Sequence, residues 1–123
     1  MGKRILVVED RSDDRYLMRW LLDGMDLEVR EAADGDAALA ACAEWPPDLV
    51  LLDFGLPDMD GLELMKRLRA APGASGLPII AVTARVLPEE REMALSSGCT
   101  AYVPKPVVPE SFVAIVRSLI GSP

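Results

Sequence analysis

The 123-residue sequence predicts an α/β fold, a parallel five-stranded sheet with helices on both faces, and three observations carry that prediction. Short apolar runs, Ile5 to Val8, Leu49 to Leu52 and Ile79 to Val82, each stop abruptly at polar or turn residues. Such runs read as strands buried on both faces. Segments with apolar residues at helical spacing separate them, so that strand and helix alternate five times, the pattern of a parallel sheet with right-handed crossovers. Finally, four strands run into polar residues, Glu9 and Asp10, Asp53, Thr83 and Lys105, and the carboxyl edge of an open α/β sheet is where ligands bind.

Arg4-Ile5-Leu6-Val7-Val8 is the first strand, and Glu9 to Asp14 is an acidic loop. Ser12 is placed to cap the next helix, with Asp13 and Asp14 favourable in its first turn and Tyr16, Leu17, Trp20 and Leu21 as its apolar stripe. Gly24 ends that helix. Residues 27–32 form a shorter, less apolar strand suited to a sheet edge. Asp34-Gly35 turns the chain into an alanine-rich helix over 36–44, which Trp45-Pro46-Pro47 stops. Both Trp20 and Trp45 read as structural.

The central strand, 49–52, leads through Asp53 and Phe54-Gly55-Leu56-Pro57 to a helix over 61–69. Residues 71–77 are a surface loop, and 78–83 a buried strand ending on Thr83. After a loop at 84–87, Pro88 suits the first turn of a fourth helix over 88–97, closed by Gly98. Residues 100–104 form the fifth strand, and 109–120 an amphipathic fifth helix. No repeat or internal boundary appears, so a single domain over 1–123 with its core at about 3–120 is expected.

Twenty acidic against thirteen basic residues give a net charge of −7, which opposes direct nucleic-acid binding. Protein partners are expected instead. No apolar stretch approaches the roughly 20 residues of a membrane span. The amino terminus enters a strand directly, and a cytoplasmic location is expected. Cys42 and Cys99 lie in unrelated segments with no histidine in the chain, so they read as reduced thiols and not as zinc ligands. Without histidine, chemistry falls to carboxylates, a hydroxyl, lysine or a metal ion.

With strand order 2-1-3-4-5, the first and third strands are neighbours and the polar strand ends converge. Two carboxylates about 4 Å apart repel by roughly 4 kcal/mol at an effective dielectric of about 20, so three of them call for a cation. Oxygen-only donors suit magnesium, with manganese as the alternative. Asp53 then reads as a nucleophile for a phosphoryl group, with Lys105 balancing one phosphoryl oxygen and the Thr83 hydroxyl bonding another.

Val8-Glu9-Asp10, Asp53, Leu56-Pro57-Asp58-Met59-Asp60-Gly61, Thr83-Ala84, Tyr102 and Lys105-Pro106 stand in this order along the chain. Taken together they resemble the receiver domain of two-component response regulators, over about residues 3–120. The resemblance implies a flavodoxin-like (βα)5 three-layer sandwich. It further implies that Asp53 accepts a phosphoryl group from a histidine kinase or histidine phosphotransfer protein, and that Asp10, Asp53 and the backbone carbonyl of Gly55 hold magnesium, with Glu9 acting mainly through water. Thr83 and Tyr102 are the implied switch pair, and Lys105-Pro106 an implied cis bond. A downstream protein is expected on the face made by the fourth helix, fifth strand and fifth helix. The domain is then a switch that assists its own phosphorylation and dephosphorylation and not a turnover enzyme. Gly55 and Arg85 fall where the family varies and where side chains influence the lifetime of the acyl phosphate.

Two enzymatic or cofactor-binding rivals fit poorly. A flavin carrier of this architecture needs a phosphate loop after the first strand, where Glu9-Asp10 would repel it, and a dehalogenase-type phosphatase needs a second Asp two residues after a nucleophile on that strand, where Ser12 stands. A receiver-like docking module that works without phosphorylation is the remaining alternative, opposed by the intact Asp10, Asp53, Thr83 and Lys105. Asp13, Asp14, Asp58 and Asp60 read as capping, turn and surface residues.

Overall fold

The computed structural model describes residues 2–71, 73–74, 76–84 and 87–120. Strands β1 (Lys3–Val8), β2 (Leu27–Ala32), β3 (Leu49–Leu52), β4 (Ile79–Thr83) and β5 (Ala101–Pro104) alternate with helices α1 (Ser12–Leu22), α2 (Gly35–Glu44), α3 (Gly61–Ala70), α4 (Pro88–Ser96) and α5 (Pro109–Ile120). All pairings are parallel, in the order β2-β1-β3-β4-β5.

Alternation along each strand builds two cores, one per face. Leu6, Val8, Val50, Leu52, Ile79 and Ala81 pack with Ala38 of α2, Leu64, Met65 and Leu68 of α3 and Ala94 of α4. Ile5, Val7, Leu49, Leu51, Ile80 and Val82 turn the other way, onto Met18, Leu21 and Leu22 of α1 and Phe112 and Val116 of α5. Every residue of β3 and β4 is buried, as expected for strands covered on both faces.

Three expectations need correction. Arg11, not Ser12, occupies the cap position of α1, with no side-chain cap bond, and Ser12 is already the first helical residue. The buried face of α1 is Met18, Leu21 and Leu22, whereas Tyr16 is 72% and Trp20 61% exposed and Leu17 is also on the outside. The apolar residues of α1 form two overlapping stripes, and helical periodicity alone does not choose between them. Trp20 is therefore not a core residue. Tyr16, Arg19, Trp20, Met25 and Val29 line an open groove between α1 and β2. Third, β2 lies at the sheet edge but has six residues, as many as β1. Its exposed positions reflect the missing neighbour, not a shorter strand.

Trp45 is buried as expected, with the Arg4 and Arg30 guanidinium carbons 5.3 and 4.9 Å from its ring centroid. Pro88 opens α4, and Gly98 (φ 118°) follows its end in the left-handed region that glycine tolerates. Arg69 ties the segment after α3 to the start of β5 by donating to the carbonyls of Ala74, Leu77 and Gly98. Both cysteines are free. Among the described residues no helix is long and apolar enough to cross a membrane. Arg85, and part of each loop placed at 71–77 and 84–87, lie outside the described residues.

Candidate functional site

Strand register brings the polar ends together. Val8 pairs with Leu52, and the Asp53 amide donates to the Val8 carbonyl at 3.0 Å, so Glu9 and Asp53 leave adjacent strands side by side. On the other flank Thr83 pairs with Pro104, and the Lys105 amide donates to the Thr83 carbonyl at 2.8 Å. The chain thus reaches the same edge from β1, β3, β4 and β5.

One carboxylate oxygen from each of Glu9, Asp10 and Asp53 lies within 4.8 Å of the others. Glu9 is only 2% exposed and Asp53 is buried, while Asp10 faces solvent. The Lys105 ammonium sits at one side of this cluster, 2.9 Å from Glu9 Oε2, 3.0 Å from Asp14 Oδ2 and 3.6 Å from Asp53 Oδ2. Burial, reinforced by the negative charge of Asp53, pushes the Glu9 carboxyl up to about 7 even though Lys105 pulls it down. Burial works against the Lys105 ammonium, but its bonds to Glu9 and Asp14 and the nearby Asp53 outweigh that and raise its pKa.

A single ammonium is shared among the carboxylates of this cluster. The donors are all oxygens, two of them walled in and one open to water. That set fits a hard divalent cation that keeps part of its water shell.

The segment after β3 is fastened at several points. The Gly55 amide donates to Asp53 Oδ1 at 3.1 Å and orients the carboxylate. A side chain at residue 55 would begin 3.7 Å from that same oxygen, so glycine leaves this flank uncovered. Asp58 accepts from the Gly35 and Asp36 amides at 2.8 and 3.0 Å, capping α2 from outside that helix, and these bonds hold its carboxyl below the usual range. Asp60 caps α3 by accepting from the Leu62 amide at 2.8 Å. Gly61 packs directly against Phe54. Asp58 and Asp60 are therefore capping residues, as the sequence suggests.

Thr83 is buried at the end of β4, beside β3. Tyr102, half-buried in β5, sets its ring edge-on to Phe54 at 6.4 Å, one residue from Asp53. The Lys105-Pro106 bond is cis. Reading Asp14 as only a capping or surface residue missed its contact with Lys105. No sequence signal pointed to it, because the contact depends on where the start of α1 comes to rest beside the end of β5.

The family model for the response regulator receiver domain matches residues 5–117. Among curated proteins the chain is 34% identical over 121 residues to the polar-differentiation response regulator DivK of Brucella anthropi, covering 98% of each. Among solved structures, a putative response regulator from Chloroflexus aurantiacus superposes with a TM-score of 0.92 at 31% identity, covering 98% of both chains. The receiver domain of a Pseudomonas aeruginosa sensor histidine kinase, with a magnesium ion coordinated in its active site cleft, superposes with a TM-score of 0.89 at 32% identity, covering 99% of this chain and 100% of that one. Sheet order, acidic cluster and similarity agree: the chain belongs to the receiver-domain family of two-component response regulators, a family of signalling domains.

Proposed function

We propose that this chain is a phosphorylation switch whose acceptor is Asp53, charged by a histidine kinase or histidine phosphotransfer protein. The observation that carries the reading is the meeting of Glu9, Asp10 and Asp53 oxygens within 4.8 Å, with the Lys105 ammonium 3.6 Å from the Asp53 carboxylate. An Asp53 oxygen attacks the phosphorus of a phosphohistidine, the phosphorus–nitrogen bond breaks, and the imidazole leaves with its electron pair. The product is an acyl phosphate on Asp53.

Glu9, Asp10, Asp53 and the Gly55 carbonyl would hold magnesium, or manganese, with Glu9 acting through water. The bound ion supplies the positive charge that lets a phosphate dianion approach carboxylates. The Gly55 amide keeps the Asp53 carboxylate oriented. Lys105 neutralises one phosphoryl oxygen, and the Thr83 hydroxyl donates to another. Tyr102, in contact with Phe54, follows Thr83 inward. The phosphoryl group shifts the balance between two conformations by its differential affinity for them. The output surface for a downstream protein is α4-β5-α5; Leu87, just before α4, and Met93 and Leu95 on it carry exposed apolar side chains. On this reading the domain spans 1–123, works in the cytoplasm, and is not a turnover enzyme.

Incubation with acetyl phosphate and magnesium tests it. The expected result is a mass gain of one phosphoryl group, absent in Asp53→Asn. A chain that stays unmodified while still capturing partners would replace this reading with phosphorylation-independent docking.

A further inference from the structure

We propose that Asp14 is a positioning residue for Lys105. It holds the ammonium on the α1 side of the pocket in the resting protein and yields it when a phosphoryl group arrives. The inference rests on the phosphoacceptor reading of Asp53.

An ammonium has three N–H donors. In this structure one goes to Glu9 at 2.9 Å and one to Asp14 at 3.0 Å, while Asp53 at 3.6 Å is beyond hydrogen-bond range. Lys105 is thus parked beside the acceptor carboxylate but not bonded to it. Its third N–H has no hydrogen-bond partner among the described residues, and a shift of the ammonium from 3.6 Å onto a phosphoryl oxygen at Asp53 lengthens one of its two present bonds.

The two partners differ in what they have to fall back on. The Glu9 side chain is 3% exposed, and among the described residues its one hydrogen-bond partner beyond Lys105 is the Arg11 amide, at 3.3 Å. Even with magnesium reached through water, a Glu9 carboxylate stripped of its ammonium would be a buried charge with no cation bonded to it directly, which is costly. The Asp14 side chain is 27% exposed, and the Arg11 guanidinium already stands 3.6 Å from the same oxygen that Lys105 uses. Water and Arg11 can take over when Lys105 leaves. Asp14 is therefore the bond that opens, and its carboxylate competes with the phosphoryl group for the lysine.

Asp13 supplies the control. It carries the same charge one residue earlier but turns to Arg11 at 3.7 Å, with a side chain 75% exposed. Loss of either charge weakens the local negative field; only loss of Asp14 frees Lys105.

The test is a titration of the full chain with beryllofluoride, a phosphoryl mimic, at saturating magnesium. Asp14→Asn is expected to bind it about two- to fivefold more tightly, the range for losing a partly exposed ion pair, with Asp13→Asn unchanged and Asp14→Glu close to wild type. In wild-type protein the Asp14 side-chain carboxyl 13C resonance is expected to move as beryllofluoride binds, a readout that needs no variant to fold. Equal or weaker binding by Asp14→Asn, an equal gain in Asp13→Asn, or an unmoved Asp14 resonance would overturn the proposal while leaving Asp53 as acceptor. Wild-type protein that binds no beryllofluoride would instead overturn the acceptor reading, and this proposal with it.

Discussion

Replacing Gly61 by alanine isolates the fit between α3 and Phe54, the second residue after β3. A Cβ at this position would stand 2.4 Å from Phe54 Cδ1, 2.5 Å from Phe54 Cα and 2.7 Å from Phe54 Cγ. Ordinary carbon contacts begin near 3.5 Å, so α3 and Phe54 would have to separate by about 1 Å. One of the obstructing atoms is backbone, which a rotamer change cannot move. The ring is fixed too, because Phe54 is buried in the core cluster of Leu64 and Met65 and sits edge-on to Tyr102. Gly61 does not have a positive φ, so the backbone itself accepts alanine and the cost is steric. Overpacking of this kind costs about 1–3 kcal/mol. Alanine's better helix propensity returns at most about 1 kcal/mol, and less in the first turn. A net loss of about 1–2 kcal/mol lowers the melting temperature of a domain this size by roughly 3–10 °C. Thermal and urea unfolding in the absence of metal measure it directly. Gly35→Ala is the internal comparison, since the three atoms nearest its Cβ would all belong to the Met59 side chain, at 2.6 to 2.8 Å, and a thioether can turn aside. A Gly61→Ala protein as stable as wild type, or less perturbed than Gly35→Ala, would refute the close-approach reasoning.

Further outcomes follow from the charges and the faces. Magnesium at ten times its dissociation constant should stabilise the fold by about 1.4 kcal/mol, and an unshifted melting temperature would count against the acidic cluster as its site. In the absence of metal, the folded chain keeps a proton on Glu9 up to about pH 7, whereas the unfolded chain loses it near 4.5; stability therefore falls as pH rises between those values and levels off above them. Glu9→Gln should remove that slope in urea titrations with a chelator present, and an unchanged slope would assign it to other groups. Asp58 has the opposite sign. Its carboxyl is held below the usual range by the Gly35 and Asp36 amides, so the stability it contributes is present above its unfolded pKa and is lost as pH falls through the folded value. Asp58→Asn should melt earlier than wild type at pH 7, and the gap should close toward pH 3. On α1, Leu21→Ala should cost about 2–5 kcal/mol, while Trp20→Ser stays within about 0.5 kcal/mol. The reverse ranking in chemical denaturation would restore the stripe expected from periodicity.

Much of this molecule is legible in its residues. Short apolar runs such as Leu49 to Leu52, bounded by turn residues, read as strands covered on both sides, and the polar residues that end them mark the carboxyl edge of the sheet. Trp45-Pro46-Pro47 and Pro88 place helix limits through local sterics that need no tertiary partner. Which face of α1 is inward was not legible, because Tyr16, Leu17 and Trp20 are as apolar as the Met18 and Leu22 that are actually buried. Only the positions of β1, β3 and α5 break that tie. Strand identity and the acidic character of the site are thus properties of short segments, whose covalent geometry and hydrophobicity act locally. The sharing of one ammonium by Glu9 and Asp14 and the capping of α2 by Asp58 join residues far apart in the chain, and the contact of Gly61 with Phe54 closes the loop between β3 and α3. Those were decided by strand register and helix placement, because a bond of about 3 Å depends on where two separate elements come to rest, and no short stretch of sequence specifies that alone.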